Sequence, residues 1–393
     1  MTNSIYHSNA IYKYFLENKL CQEFKQTAIK HIMAILIAVF TYGYKGKTVQ
    51  MGKASPHHRT TVAHFLNEGR WNSQKLESWK KATVIDIIYG EAIRTGKPIQ
   101  CIADDTIASH TKPSSQALHP IDDAYFHKSH LKRKQDYGHQ AVSIMLSCNG
   151  ISLNYDIVLY NKSKSKIDIV CEIAYELPVA PVISYFLCDS WYTCAKLIDS
   201  FLVKGFYTVG AIKTNRLIYP CGIKQQIGQF ASNIHKMDTN VNLVTVGERK
   251  YYVYRYEGSL KDIESAVVLI SYPRDAFGVP SAVRAFISTN VDLSTEEILE
   301  QYVARWPIEV FFRQAKQKLA FDKYQIRSST GISRYWLLMS LAHLMCCTGT
   351  GTLCHFEEGY QFFRESIRSE QIRFIYDCGA HRVPFNELLA HIA

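Results

Sequence analysis

The stretch from Tyr302 to Lys316 gathers a phenol, cations and a carboxylate at helical spacing. Tyr302, Arg305, Glu309 and Lys316 stand at offsets of zero, three, seven and fourteen. At about 100° per residue they fall within a stripe roughly 60° wide. Val310, Phe311 and Ala315 lie off that line and suit a core. Arg305 and Glu309 are also an i,i+4 pair, which a salt-bridged surface helix would show as well. Two acidic positions upstream favour chemistry over a surface helix. Asp105 follows the apolar run Pro98–Ala103, and Asp189 follows Pro181–Cys188. Three carboxylates from two strand ends and one helix make a hard-oxygen donor set. Mg²⁺ prefers oxygen ligands and keeps several waters, so a few carboxylates plus a substrate phosphate suffice for it. Two such ions about 4 Å apart can activate an attacking oxygen and stabilise the leaving one in an in-line displacement at phosphorus. Asp104 adjoins Asp105, and strand alternation points only one of the pair at a site on a given face.

The elements that must position these residues change character along the chain. Residues 1–95 read as helical, with Ile32, Ile35, Ala38 and Val39 recurring at helical spacing. Lys45-Gly46-Lys47-Thr48 reads as a basic turn. Ser55 suits an N-cap and Pro56 a first helical turn, opening a short helix on which Arg59, Thr60 and His64 could face a phosphate backbone. This resembles a helix-turn-helix only weakly, and an ordinary helical bundle fits nearly as well. From residue 98 the pattern turns to strands. Pro98–Ala103 runs into Asp104-Asp105-Thr106, and a basic loop, His127–Lys134, includes Lys132 and Arg133. That loop reads equally as solvated or as phosphate-contacting. His139–Cys148 and Ile151–Tyr160 are strands joined by Asn149-Gly150, a strong hairpin signal. Ile167–Leu177 is helical, Pro181–Cys188 is a buried strand ending at Asp189, Tyr192–Lys204 is a helix, and Phe206–Ile212 is another buried strand. The order β, ββ, α, β, α, β predicts a mixed sheet, and if the first and fourth strands are neighbours Asp105 and Asp189 emerge at one edge.

Residues 213–290 read as mostly β. Lys213, Arg216, Arg249, Lys250, Arg255 and Lys261 are interleaved there with tyrosines and β-branched runs, a composition that suits nucleic acid or a sheet with one wet face. Ser294 or Thr295 caps the next helix, with acidic residues in its first turn. Pro307 removes a backbone donor, so that helix is kinked or built from two pieces meeting at Trp306. Trp306 reads as core packing, with base stacking as the alternative. Residues 331–348 form a core helix, and the tail is helical.

The 393 residues carry 45 basic and 35 acidic side chains, a net charge of +10, which is compatible with a polyanionic partner. The cysteines number 11, and no CxxC occurs. Zinc is therefore not expected, and reduced thiols in the cytoplasm are. No signal peptide or membrane span is read.

Ala103-Asp104-Asp105-Thr106, Leu187-Cys188-Asp189 and Tyr302-x2-Arg305-x3-Glu309-x6-Lys316 resemble the DDE transposases of bacterial insertion sequences, in particular the cut-and-paste group with a Tyr-Arg-Glu-Lys signature. The Asp-Thr pairing of that family favours Asp105 over Asp104. The resemblance implies an α/β fold: an RNase H-like mixed-sheet catalytic core (96–212 and 291–330) interrupted by a β-rich insertion (213–290). An N-terminal helical DNA-binding domain (1–95) and C-terminal helices (331–393) would flank it. It implies that Asp105, Asp189 and Glu309 bind two Mg²⁺ ions, with Mn²⁺ as a substitute. Tyr302, Arg305 and Lys316 would hold phosphates of the transposon end, and Arg59, Lys132, Arg133, Lys213 and Arg216 are further DNA-binding candidates. The implied partners are double-stranded DNA, as terminal inverted repeats and target, and a second copy of the chain on DNA. The implied place of action is the cytoplasm, at the nucleoid. A stand-alone metal-dependent nuclease and a non-catalytic DNA-binding descendant are the competing readings.

Overall fold

A computed structural model describes residues 10–54, 58–117, 120–129 and 134–392; of Ser129 and of residues 389–392 only the backbone is considered. The proposed cap at Ser55 and Pro56, and the loop cations Lys132 and Arg133, lie outside the described residues.

The N-terminal part is helical: α1 (Ala10–Glu17), α2 (Leu20–Glu23), α3 (Gln26–Phe40), α4 (Thr48–Lys53), α5 (Arg59–Asn67) and α6 (Ser73–Thr95). The apolar face of α3 is buried through Ile29, Ile32, Met33, Ile35, Leu36 and Val39. The α6 helix starts where the Asn72 side chain accepts the Lys75 amide at 2.9 Å and stops at Gly96 in the left-handed region.

Six strands follow: β1 (Gln100–Ser109), β2 (Tyr125–Ser129), β3 (Lys134–Cys148), β4 (Ile151–Tyr160), β5 (Ser184–Cys188) and β6 (Phe206–Ile212), with α7 (Lys166–Glu176) and α8 (Ala195–Leu202) between the last three. β3 pairs antiparallel with β1, β2 and β4, whereas β1, β5 and β6 run parallel. The β3–β4 turn is Asn149-Gly150, both at positive φ, as that dipeptide predicts. Three expectations are corrected. The segment read as a basic loop begins as strand β2, because Tyr125–Ser129 finds partners along the long N-terminal end of β3. The aspartates do not end the first strand: β1 continues to Ser109, since β3 supplies ladder partners as far as Gly138. The helix after Asp189 starts late, at Ala195, because the Asp189 carboxylate captures the Trp191 and Tyr192 amides in a turn.

The β-rich stretch contains β7 (Leu217–Ile218), β8 (Gln225–Gln226), α9 (Ile227–Ala231), β9 (Val241–Val246), β10 (Arg249–Leu260), β11 (Ile263–Pro273) and β12 (Arg284–Ser288). It extends the core sheet, because β12 pairs with β6. One mixed sheet therefore runs β3-β1-β5-β6-β12-β11-β10, RNase H-like at one end and continued by the insertion at the other. Then come α10 (Thr295–Val303), α11 (Pro307–Lys318), α12 (Ser329–Thr348) and α13 (Phe356–Ala380). α12 is buried on nearly every side. The buried Lys80 of α6 ties three layers together, donating to the carbonyls of Asn154 and Tyr155 on β4 and to Ser340 Oγ on α12. No helix among the described residues is long and apolar enough to cross a membrane.

Gly138 fixes the register on which the acid-bearing strand depends. A Cβ at Gly138 would overlap the Ala108 carbonyl oxygen of β1. Gly138→Ala should cost about 1–3 kcal/mol of stability. Gly90→Ala, on α6 with open space around its Cβ position, should be neutral or stabilise by about 0.5–1 kcal/mol. Chemical denaturation of both variants checks the contrast, and equal midpoints would refute it.

Candidate active site

Parallel pairing decides where the aspartates sit. β5 lies beside β1 with Ala103 opposite Cys188. The next residue on each strand, Asp104 and Asp189, is therefore level at the carboxyl end of β5. Asp105 is one step further along β1, with its side chain on the other face.

The acids are linked in two pairs. Asp189 Oδ1 accepts the amides of Trp191 at 2.9 Å and Tyr192 at 3.3 Å. The Tyr192 hydroxyl in turn donates to Asp105 Oδ1 at 3.0 Å. Burial first, then the Asp105 charge, push the Tyr192 phenol well above its ordinary range, so it stays a donor. Asp105 Oδ1 also takes the Lys166 ammonium at 2.9 Å, and its Oδ2 takes the Gln140 amide. Lys166 lies 4.0 Å from the ring centroid of Trp191. The second pair is joined by Arg305. Its guanidinium donates from Nη1 to Asp104 Oδ2 at 2.8 Å and from Nη2 to Glu309 Oε1. Burial pushes the Asp104 carboxyl up to about 7, and Arg305 pulls the other way.

The signature residues converge, but not as an open stripe. As Pro307 requires, the helix is in two pieces: Tyr302 is on α10, Arg305 is in the joint, and Glu309 and Lys316 are on α11. Tyr302 is half-buried against Phe286 of β12, with ring centroids 4.6 Å apart, and burial raises its phenol. Lys316 points into the sheet and donates to Thr106 Oγ1 at 2.6 Å and to the Ile107 carbonyl at 2.9 Å. Trp306 is 56% exposed, so it is not the core residue expected.

The other DNA-binding candidates stand apart from this cluster of contacts. Arg59 is exposed at the start of α5, where His58 is the cap. Lys213 is exposed just after β6, and Arg216 pairs with Asp262. Reading the sequence missed Lys166, Gln140 and Tyr192. Tyr192 was legible, three residues after Asp189, but Lys166 and Gln140 reach Asp105 only through folding.

The surrounding elements hold α10 and α11 in place. Ser294 and Glu297 form a capping box at the start of α10. Arg255 of β10 donates to the Val291 and Leu293 carbonyls just before it. Behind α11, the buried His343 of α12 meets Gln314 Oε1 at 3.3 Å and packs on Phe311 and Phe356.

The donor set is all carboxylate, which fits a hard divalent ion such as Mg²⁺. Among the described residues no three His, Cys, Asp or Glu side chains converge to hold a metal. Arg305 and Lys166 instead take up carboxylate oxygens of Asp104, Glu309 and Asp105.

The family model described as Transposase DDE domain matches residues 95–345. That span covers β1, β5 and α11, and so every acid of the cluster. No curated protein matches the chain.

Burial, then the charge of Lys80, lowers the His343 pKa to about 3. The unfolded chain takes up a proton near pH 6.5 that the folded state refuses. Stability contributed by neutral His343 is therefore full above about pH 6.5 and is lost as the pH falls toward 3. The melting temperature should drop across that window, and His343→Phe should flatten the drop. An unchanged pH profile in the variant would refute this role.

Proposed function

Because the chain belongs to the transposase DDE domain family, we propose that it cuts DNA at the ends of a mobile element by phosphodiester hydrolysis and joins the freed 3′-OH to target DNA. The observation that carries this reading is that, inside the matched span, Arg305 joins Glu309 of α11 to Asp104, which is level with Asp189 at the end of β5, while Tyr192 ties Asp189 to Asp105.

In this reading Asp105, Asp189 and Glu309 would hold two Mg²⁺ ions, which would supply charge neutralisation at phosphorus and activation of a water or 3′-OH. Asp105 and Asp189 are positioned for this by Tyr192, which bonds one with its hydroxyl and the other with its amide. Asp104 positions Arg305, and through it the joint between α10 and α11. Arg305 offers a planar fork that matches a phosphate. The half-buried Tyr302 beside it, with the guanidinium 5.9 Å from its ring centroid, limits where that fork can swing. Lys316 steadies α11 on β1, a role supported by its two bonds to Thr106 and Ile107. This geometry favours positioning over the phosphate contact that the signature implies for Lys316.

The net charge of +10 supports a DNA duplex as substrate. The terminal inverted repeats would be read by the N-terminal helices, with exposed Arg59 one contact. Two copies of the chain would pair two ends. The Tyr-Arg-Glu-Lys spacing supports assignment to the cut-and-paste group.

Cleavage of a labelled duplex carrying the DNA that flanks the gene, with Mg²⁺, tests the reading. The wild type should cut at a defined end. Glu309→Gln and Asp105→Asn should each reduce scission by about 10²-fold or more while sparing DNA binding. Asp104→Asn should retain more activity than Asp105→Asn. Scission undiminished in Glu309→Gln would show the third acid to be misassigned, and the reverse order of the two aspartates would exchange their roles.

A further inference from the structure

Three of the four acids in the cluster are bonded to cations of the chain itself. Arg305 spans Asp104 and Glu309, and Lys166 holds Asp105. Glu309 is the most open of them, its side chain 35% exposed against 14% for Arg305. Glu309 Oε1 accepts from Arg305 Nη2, so that oxygen is already taken. A guanidinium and a divalent cation cannot share that oxygen without strong like-charge repulsion.

From this geometry we infer that Arg305 and a divalent cation compete for Glu309, and that a phosphodiester resolves the competition by taking Arg305 as its own counter-ion. The inference rests on the proposed function for the identity of the phosphodiester. It does not rest on that proposal for the competition, which the two salt bridges define. The guanidinium fork that now spans two carboxylates has the spacing to grip two phosphate oxygens. Once it turns to a phosphate, Glu309 loses its neutralising partner, and its Oε1 becomes open to a cation. Arg305 thereby makes ion and DNA uptake mutually reinforcing. By linkage, each ligand must then tighten the other by the same factor. A free protein with loosely held ions would have little hydrolytic power away from a DNA end.

Mn²⁺ titration followed by electron paramagnetic resonance, with and without a flanking-DNA duplex, tests the inference. In the wild type the duplex should tighten Mn²⁺ about tenfold or more. Arg305→Ala without duplex should bind Mn²⁺ about tenfold more tightly than wild type without duplex, and adding duplex should then tighten it little further. Arg305→Lys, which keeps a charge but not the fork, should fall between. Circular dichroism and melting curves confirm that each variant is folded. If Arg305→Ala does not fold, the wild-type comparison alone still decides: Mn²⁺ affinity indifferent to a duplex that the protein binds and cuts would overturn the inference. So would a folded Arg305→Ala with wild-type Mn²⁺ affinity. Absence of scission by the wild type, together with tighter Mn²⁺ binding by Arg305→Ala, would instead fault the transposase reading and leave the competition at Glu309 standing.

Discussion

The Arg305 guanidinium, bonded both to Asp104 of β1 and to Glu309 of α11, is the interaction on which the rest of this sheet edge depends. Asp104, Asp105 and Glu309 are each bonded to a cation, and Asp189 accepts two backbone amides. The fold supplies those partners from several elements. Arg305 comes from the joint between two helices, Lys166 from the start of α7, Tyr192 from the turn after β5 and Gln140 from β3. The same side chains that keep the acids tolerable also set their spacing. Electrostatic compensation and site geometry are thus one arrangement.

That arrangement is held by elements far from it in sequence. The β-rich stretch pairs with the core through β12 and β6, so its strands continue the acid-bearing sheet. Phe286 on β12 packs on Tyr302, and Arg255 on β10 fastens the loop that leads into α10. From behind, α12 presses His343 against Gln314 and Phe311 of α11. Glu309 is therefore positioned between an insertion in front of it and a helix after it. The buried Lys80, bonded to both β4 and α12, ties the N-terminal helices to the same frame.

The cations of this chain fall into distinct roles that net charge conceals. Arg305, Lys166 and Lys316 are turned toward the sheet edge and are bonded there to acids, a hydroxyl or a carbonyl. Arg216 is bound to Asp262, whereas Arg59 and Lys213 are exposed to solvent. Only cations of the last kind meet a polyanion without first giving up a partner. A cation of the first kind exchanges one anion for another, which makes its contribution conditional on what else is bound.

The sequence by itself determined the ingredients: the apolar runs that end near Asp105 and Asp189, the spacing from Tyr302 to Lys316, the Asn149-Gly150 hairpin and the break at Pro307. Each is legible because it follows from local rules of backbone geometry, side-chain period or turn chemistry. The signature spacing also pointed to the family that residues 95–345 match. Local rules do not say how far a strand runs once a partner extends it, so β1 was read too short and β2 as loop. Nor do they say which way a long cation turns. Lys316 shares a helical stripe with Glu309, yet it bonds to Thr106 and Ile107 because α11 lies against β1. The Asp-Thr pairing favours Asp105 over Asp104, but it does not say what either one touches. Only the tertiary structure gave Asp104 to Arg305 and Asp105 to Lys166 and Tyr192, because a pleated strand sends successive side chains to opposite faces and different elements pack on each.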